Sequence, residues 1–215
     1  MAIAPVNKFI TVAVPVAPGE QKIYEVPTGV STILLYAQVS NVGVGTYPTT
    51  TLIHRRESRS TGNTRDIRVI KDIEIPPNDA AVLVDGRLIL EKTSKTLDRL
   101  YITGTQSGVV DISNVLYDEP SGVATVTTST VHGFSANDEI TMSEIAFTCS
   151  GGSGITTTIF PDPQQSYTVS QVNSTTEFET NVGSANGITH NYDTGGKVAP
   201  LQMEFIGSFL ENSTT

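Results

Sequence analysis

Short apolar runs of period two, separated by turn residues, recur along the 215-residue chain and leave it few folds other than packed β-sheets. Ile33, Leu35, Ala37 and Val39 alternate with Leu34, Tyr36, Gln38 and Ser40, which predicts a strand with one inward face. Before it, Val26-Pro27-Thr28-Gly29 reads as a turn, because Pro presets φ and Gly accepts a positive one. Residues 49–56 and 67–71 read as strands joined by the polar loop 57–66. Ile73 and Ile75 point one way and Asp72 and Glu74 the other, until Pro76-Pro77-Asn78-Asp79 ends the strand. Asp85-Gly86 stands between Val82-Leu83-Val84 and Arg87-Leu88-Ile89-Leu90, the pattern of a type I′ hairpin. Residues 97–103 and 108–116 supply the next strands. Residues 94–99 leave room for one helical turn at most.

Helix-favouring runs of Ala, Leu, Glu and Lys are nearly absent, while Val, Ile, Thr, Gly, Pro and Asn dominate. That vocabulary belongs to short strands and turns. The expectation is an all-β chain.

Charge then divides it. Residues 1–119 hold 12 of the 13 Lys and Arg against 13 acids, whereas residues 120–215 hold Lys197 alone against nine acids. Two surfaces so different imply two modules, each sandwich-like or barrel-like. Residues 1–119 read as a β-sandwich docking module and residues 120–199 as an acidic, Thr-rich β module. Residues 200–215 form a terminal strand and tail. In the second module, residues 123–128, 139–142, 167–172, 176–182 and 197–199 read as strands, and the turn-rich stretch 149–165 as an exposed loop. The apolar run 201–211 completes either module. If it completes the first, the second is an insertion before the last strand of the first.

A net charge of −9 argues against binding duplex nucleic acid, since Lys and Arg supply most phosphate affinity. Cys149 is the single cysteine, so no intramolecular disulfide is available. No basic segment precedes the apolar run 9–16, which Pro15 interrupts, so neither a signal peptide nor a membrane span is expected. Synthesis in a cytoplasm follows from that reading.

Residues suited to chemistry do not converge. His54, His132, His190 and Cys149 show no metal-ligand spacing, and His132 before Gly133-Phe134 suits a hydrogen bond to a turn carbonyl. Ser153 lies in Gly151-Gly152-Ser153-Gly154, which lacks both the helix of a nucleophile elbow and the Lys-Ser/Thr ending of a phosphate loop. Asp138 with Glu139, and Glu177 with Glu179, have no flanking aromatic platform for a sugar and read as a solvated acidic face. Asp162 and Asp193 lack a calcium-loop series. Asn173-Ser174-Thr175 and Asn212-Ser213-Thr214 match the glycosylation pattern, which has little force without a secretory signal. No catalytic, cofactor-binding or metal residue is therefore expected.

One positive cluster stands out: Arg55, Arg56, Arg59, Arg65 and Arg68, with His54 and Lys71, on a hairpin tip and its flanking strands. No aromatic residue lies between Tyr47 and Tyr101, which disfavours single-stranded nucleic acid. Two readings remain: a solvated face of Arg–acid pairs, or a contact to an acidic neighbouring subunit.

The stretch from Ile23-Tyr24-Glu25-Val26-Pro27-Thr28-Gly29 to Val39-Ser40-Asn41 resembles a β-sandwich module of tailed-bacteriophage virion proteins. Val69-Ile70-Lys71-Asp72-Ile73-Glu74-Ile75-Pro76 and Gly86-Arg87-Leu88-Ile89-Leu90-Glu91 are similar to later parts of it. The second module is similar to a domain of structural proteins from marine tailed phages. Ala124-Thr125-Val126-Thr127-Thr128, His132-Gly133-Phe134-Ser135, Ile145-Ala146-Phe147-Thr148-Cys149 and the ending Thr189-His190-Asn191-Tyr192-Asp193-Thr194-Gly195-Gly196-Lys197-Val198 carry that likeness. The resemblance implies a non-enzymatic virion building block that makes protein–protein contacts and does not place it on the particle; tail, neck or baseplate, with self-association, is the first placement. Capsid decoration is a second placement, and a host-receptor or glycan-binding module a different function. It implies no cofactor, nucleic acid or membrane.

Overall fold

A computed structural model describes residues 7–151, 154–156, 161–184 and 187–213. Strands β1 (Asn7–Pro15), β2 (Gly19–Glu25), β3 (Val30–Asn41), β4 (Thr49–Ser58) and β5 (Thr64–Glu74) come first. They are followed by β6 (Ala80–Glu91), β7 (Thr96–Thr105), β8 (Val110–Asp118), β9 (Val123–Thr128) and β10 (Glu139–Gly151). The last are β11 (Gly154–Thr156), β12 (Ser166–Ser174), β13 (Glu177–Asn181), β14 (Ile188–Pro200) and β15 (Met203–Ser213). No helix occurs among the described residues, so none is long and apolar enough to cross a membrane. The chain is all-β.

It divides into two compact units. One comprises Met1–Val16, Glu20–Thr105 and Gln202–Thr215, the other Ala17–Gly19 and Gln106–Leu201.

The first unit is a sandwich of two four-stranded sheets, ordered β1-β15-β3-β6 and β2-β7-β4-β5. Numbering its eight strands one to eight along the chain, the pairings 1–8, 2–7, 3–6 and 4–5 are those of one long folded hairpin. That order is a jelly roll, an eight-stranded double-sheet architecture. The second unit is inserted between its seventh and eighth strands. Leu34, Leu52, Leu90, Leu100, Ile102, Phe205 and Phe209 fill the space between the sheets. Gly207 lies between the two phenylalanines on β15. A Cβ there would meet the Phe205 ring at 2.9 Å and the Phe209 ring at 3.0 Å, so the missing side chain is what lets both rings pack.

The second unit is a barrel. Its strands run β10-β12-β13-β9-β8-β14, and β14 pairs back onto β10 to close the circle, with β11 added to β10 as a short hairpin. Closure removes the open edges a flat sheet would expose. Val126, Ile140, Val169, Phe178 and Val198 are fully buried inside it. On β9 the period is a clean two, with Ala124, Val126 and Thr128 inward.

Several expectations change at this level. Residues 85–86 do not turn: β6 is one continuous strand. Its pairing with β3 jumps from Leu88↔Leu34 to Asp85↔Tyr36, so Gly86 and Arg87 stand opposite Leu35 alone. The glycine, at φ 149°, serves a bulge rather than a hairpin. The same Leu35 lacks a partner on β15, where Phe209↔Leu34 is followed by Ser208↔Tyr36. A one-residue bulge inverts the parity of a strand. The inward face is therefore Leu34, Ala37 and Val39, and Ile33 turns outward. Residues 94–99 form no helical turn, because β7 begins at Thr96 and the Thr93 hydroxyl caps the bend by accepting from the Lys95 and Thr96 backbone N–H groups.

The charge break near Pro120 is also not where strand pairing changes. β8 pairs with β9 and β14, and residues 118–122 are the tight turn between β8 and β9, not a linker. Gly122 donates its N–H to the Asp118 carbonyl at 2.9 Å with φ +73°, and a Cβ on it would lie 2.6 Å from the Gly183 backbone. Charge reports solvated surface, whereas unit membership follows from hydrogen-bond ladders and shared core.

Candidate functional site

The jelly roll has two outer faces of opposite chemistry. On the sheet β2-β7-β4-β5 the outer face is charged and internally paired. Arg55 grips Asp66, its cross-strand partner, through two hydrogen bonds of 2.6 and 2.7 Å, and Glu20 through two more of 2.8 and 2.9 Å. Its guanidinium lies 4.3 Å from the centre of the Tyr101 ring. Arg99 donates to Glu57 and, at 2.8 Å, to Glu25, which also receives Lys22 at 3.1 Å. Hydrogen bonds from Arg99 hold the Glu25 carboxyl below its usual range, and Arg55 does the same for Asp66.

One pair turns inward. Asp98 on β7 is fully buried and takes two 2.7 Å hydrogen bonds from Arg56, its partner on β4, and one of 3.0 Å from the Glu91 backbone N–H. His54 Nε2 lies 3.2 Å from Asp98 Oδ1, an electrostatic contact whose angle is not that of a hydrogen bond. Burial alone would raise the Asp98 carboxyl. The donors, Arg56 foremost, reverse this and hold it well below the ordinary carboxylate range.

The five arginines thus divide. Arg55 and Arg56 are committed to acids of their own chain. Arg59, at the β4–β5 turn, donates to the Thr93 carbonyl at 3.0 Å. Arg65 and Arg68, on β5, are exposed. The ring under Arg55 comes from β7, far along the chain, so spacing around the arginines gave no sign of it.

On the sheet β1-β15-β3-β6 the outer face is apolar. Phe9↔Leu210, Leu210↔Ile33 and Ile33↔Ile89 are consecutive cross-strand pairs, one row spanning all four strands. A second row runs Ala13, Ile206, Gln38 and Val82. Phe9 is 72% exposed, Ile89 57%, Val82 50% and Ile206 41%. Pairs directly opposite in an antiparallel ladder project to the same side, so these side chains form one surface. The outward turn of Ile33 at the Leu35 bulge contributes to it.

In the barrel, titratable groups serve local structure. His132 Nδ1 accepts the Phe134 N–H at 2.9 Å, which leaves the proton on Nε2 to be donated to the Ser174 carbonyl at 3.2 Å. Val131, Phe134 and Val172 beside it line a shallow groove of about 380 Å³. Cys149 and His190 are cross-strand partners on β10 and β14, and the buried thiol contacts Nδ1. Burial pulls the His190 imidazole down, with Glu119 opposing, so the ring beside the buried thiol favours its neutral form. Only register brings these two residues together, which is why their 41-residue separation hid it.

The acids read as a solvated face are also tied locally. Asn173 bridges Glu177 and Glu179 at 3.2 and 3.1 Å, and Asp138 accepts the Ser135 N–H at 2.8 Å. Asp193 accepts Thr148 at 2.8 Å and Asp162 the Gln164 N–H at 2.9 Å. Ser153 and Thr214 lie outside the described residues. Among the described residues no three His, Cys, Asp or Glu side chains are placed to hold a metal ion.

No protein-family model matches the chain, and no curated protein does. Among solved structures it is similar to the T13 particle of IBDV, at 9% identity and a TM-score of 0.34, covering 98% of this chain and 39% of that one. The infectious bursal disease virus Gx strain gives 8% and 0.32, with 98% and 42% covered. The chain thus spans about two fifths of each. PNGase F, a glycosylasparaginase from Flavobacterium meningosepticum, gives 13% and 0.21, with 99% and 97% covered. All three scores lie below 0.5.

Proposed function

We propose that the chain is a non-enzymatic structural protein of a tailed-phage particle, held at the tail, neck or baseplate by protein–protein contacts. The observation that carries this reading is the build: a jelly roll with a closed barrel inserted before its eighth strand. Jelly rolls are a recurrent architecture of virus shells, and closing the barrel pairs the edges of its six strands, leaving only the short β11 outermost among the described residues. Sequence resemblance to phage virion modules over both units points the same way.

Residue chemistry adds support. Asp98, His132, Cys149 and His190 are each engaged in holding the fold, which leaves surfaces as what the chain offers to others. In this reading the partners are other phage virion proteins and further copies of the chain. It is made in the host cytoplasm and ends in the virion. Many modest contacts then add through repetition around a symmetric particle.

Gold-labelled antibody against the chain, applied to purified particles, tests this by negative-stain microscopy. Label at the tail, neck or baseplate is the expected result. Label over the head makes the protein a capsid decoration and overturns the placement. Particles free of label, from lysates that contain the protein, overturn the virion reading.

A further inference from the structure

The outer face of the sheet β1-β15-β3-β6 needs an explanation that the fold does not give, because these side chains do nothing for the core. We infer that this face is a self-association surface, on which a second copy of the chain packs its own identical face about a two-fold axis. This builds on the assembly reading above by naming the surface and its occupant.

Charge is the first argument. The jelly-roll unit carries 12 Lys and Arg against 12 acids, so the −9 of the chain sits on the barrel unit and no net charge opposes the approach of two jelly rolls. On the two central strands of this face, the outward residues Leu210, Ser208, Ile206, Ile33, Tyr36 and Gln38 are all uncharged. The charges on this side sit on the edge strand β6, at Asp85, Arg87 and Glu91, and at the end of β15, at Glu204. An isologous contact pairs residue i with j and j with i, and only residues on the axis meet their own copies, so an uncharged centre is what such a contact needs. On the opposite outer face Arg55, Arg99, Asp66 and Glu57 are already paired within the chain.

Size is the second. Four strands about 4.8 Å apart and nine residues long, at about 3.4 Å each, give a sheet face of about 600 Å² per copy. Two copies together bury about 1,200 Å², the lower end of specific interfaces, which suits a contact of micromolar strength repeated in an assembly. Sheet-on-sheet packing of this kind is how β-sandwiches make their own cores.

The test uses the full chain in sedimentation velocity over a concentration series, with Ile206→Glu and Ile89→Glu as separate variants. Both positions are exposed, so each variant keeps the wild-type circular dichroism spectrum and melting temperature. Arg65→Glu, on the opposite sheet, is the control. Wild type and R65E should show a monomer–dimer equilibrium, and each face variant should weaken it at least about 100-fold, since it buries an unpaired carboxylate in an apolar contact. A wild-type chain that stays monomeric to about 100 μM, well above the micromolar range of such an interface, overturns the inference. So does a dimer indifferent to both substitutions. In either case the antibody labelling of particles still stands or falls separately. Cross-links from this face to a different virion protein would give the surface another occupant and likewise overturn the second copy.

Discussion

Arg56 and Asp98 face each other across β4 and β7, sharing two hydrogen bonds of 2.7 Å around a carboxylate with no solvent exposure. The Arg56 side chain keeps 43% exposure, so losing the carboxylate leaves a guanidinium that water still reaches, and the cost is that of the charge-assisted hydrogen bonds, about 1.5–3 kcal/mol. Asp98→Asn keeps the shape but turns an amide N–H toward the guanidinium. We expect it to lower stability in urea unfolding by about 2 kcal/mol. An unchanged midpoint contradicts the role given to this pair.

The same carboxylate sets an acid dependence. Its folded-state pKa is depressed, by donors that outweigh burial, so its contribution is complete above the unfolded value of about 3.9 and is lost as pH falls below it. Glu25 and Asp66 are shifted in the same direction by Arg99 and Arg55. Melting temperature should therefore drop from about pH 5 downward, and the drop should be shallower in Asp98→Asn. Equal slopes in the two proteins would show that Asp98 is not the group responsible.

Strand content was legible in the sequence because period two and turn residues are local signals, and β9 keeps its alternation without a break. Parity was not legible where a bulge intervened. Nothing in Ile33-Leu34-Leu35-Tyr36 announces that Leu35 loses its partner on both sides, yet that single residue decides which side chains meet solvent. Asp85-Gly86 misled for a related reason, since glycine serves bulges as readily as turns. The arginines were visible as a cluster, but their acids Glu20, Asp66 and Asp98 come from three other strands, so pairing could be read only from topology.

The division among the arginines makes the interface idea testable without confusion. Arg55→Glu and Arg56→Glu break ion pairs inside the chain and should destabilise it. Arg65→Glu and Arg68→Glu alter exposed positions and should change stability by about 0.5 kcal/mol or less. If this edge touches an acidic neighbour, the double variant R65E/R68E folds normally but is incorporated into particles at a reduced level. Incorporation equal to wild type removes these two arginines from any contact.

Cys149 should behave as an inert core thiol. It is 1% exposed and set against an imidazole that burial pulls toward its neutral form, which removes the positive charge that activates thiols elsewhere. Labelling by a thiol reagent at pH 7 should proceed only at the rate of unfolding and become fast in denaturant. Rapid labelling of the native protein would mean that the thiol is activated, and would reopen a chemical role for the pair.

The central claim is that this chain works by contact within a virion, and cross-linking mass spectrometry on purified particles tests it most directly. Links to tube, sheath, portal or baseplate proteins, alongside links between copies of the chain, are the result the account predicts. A chain absent from particles, or present without a link to any virion protein, would contradict it.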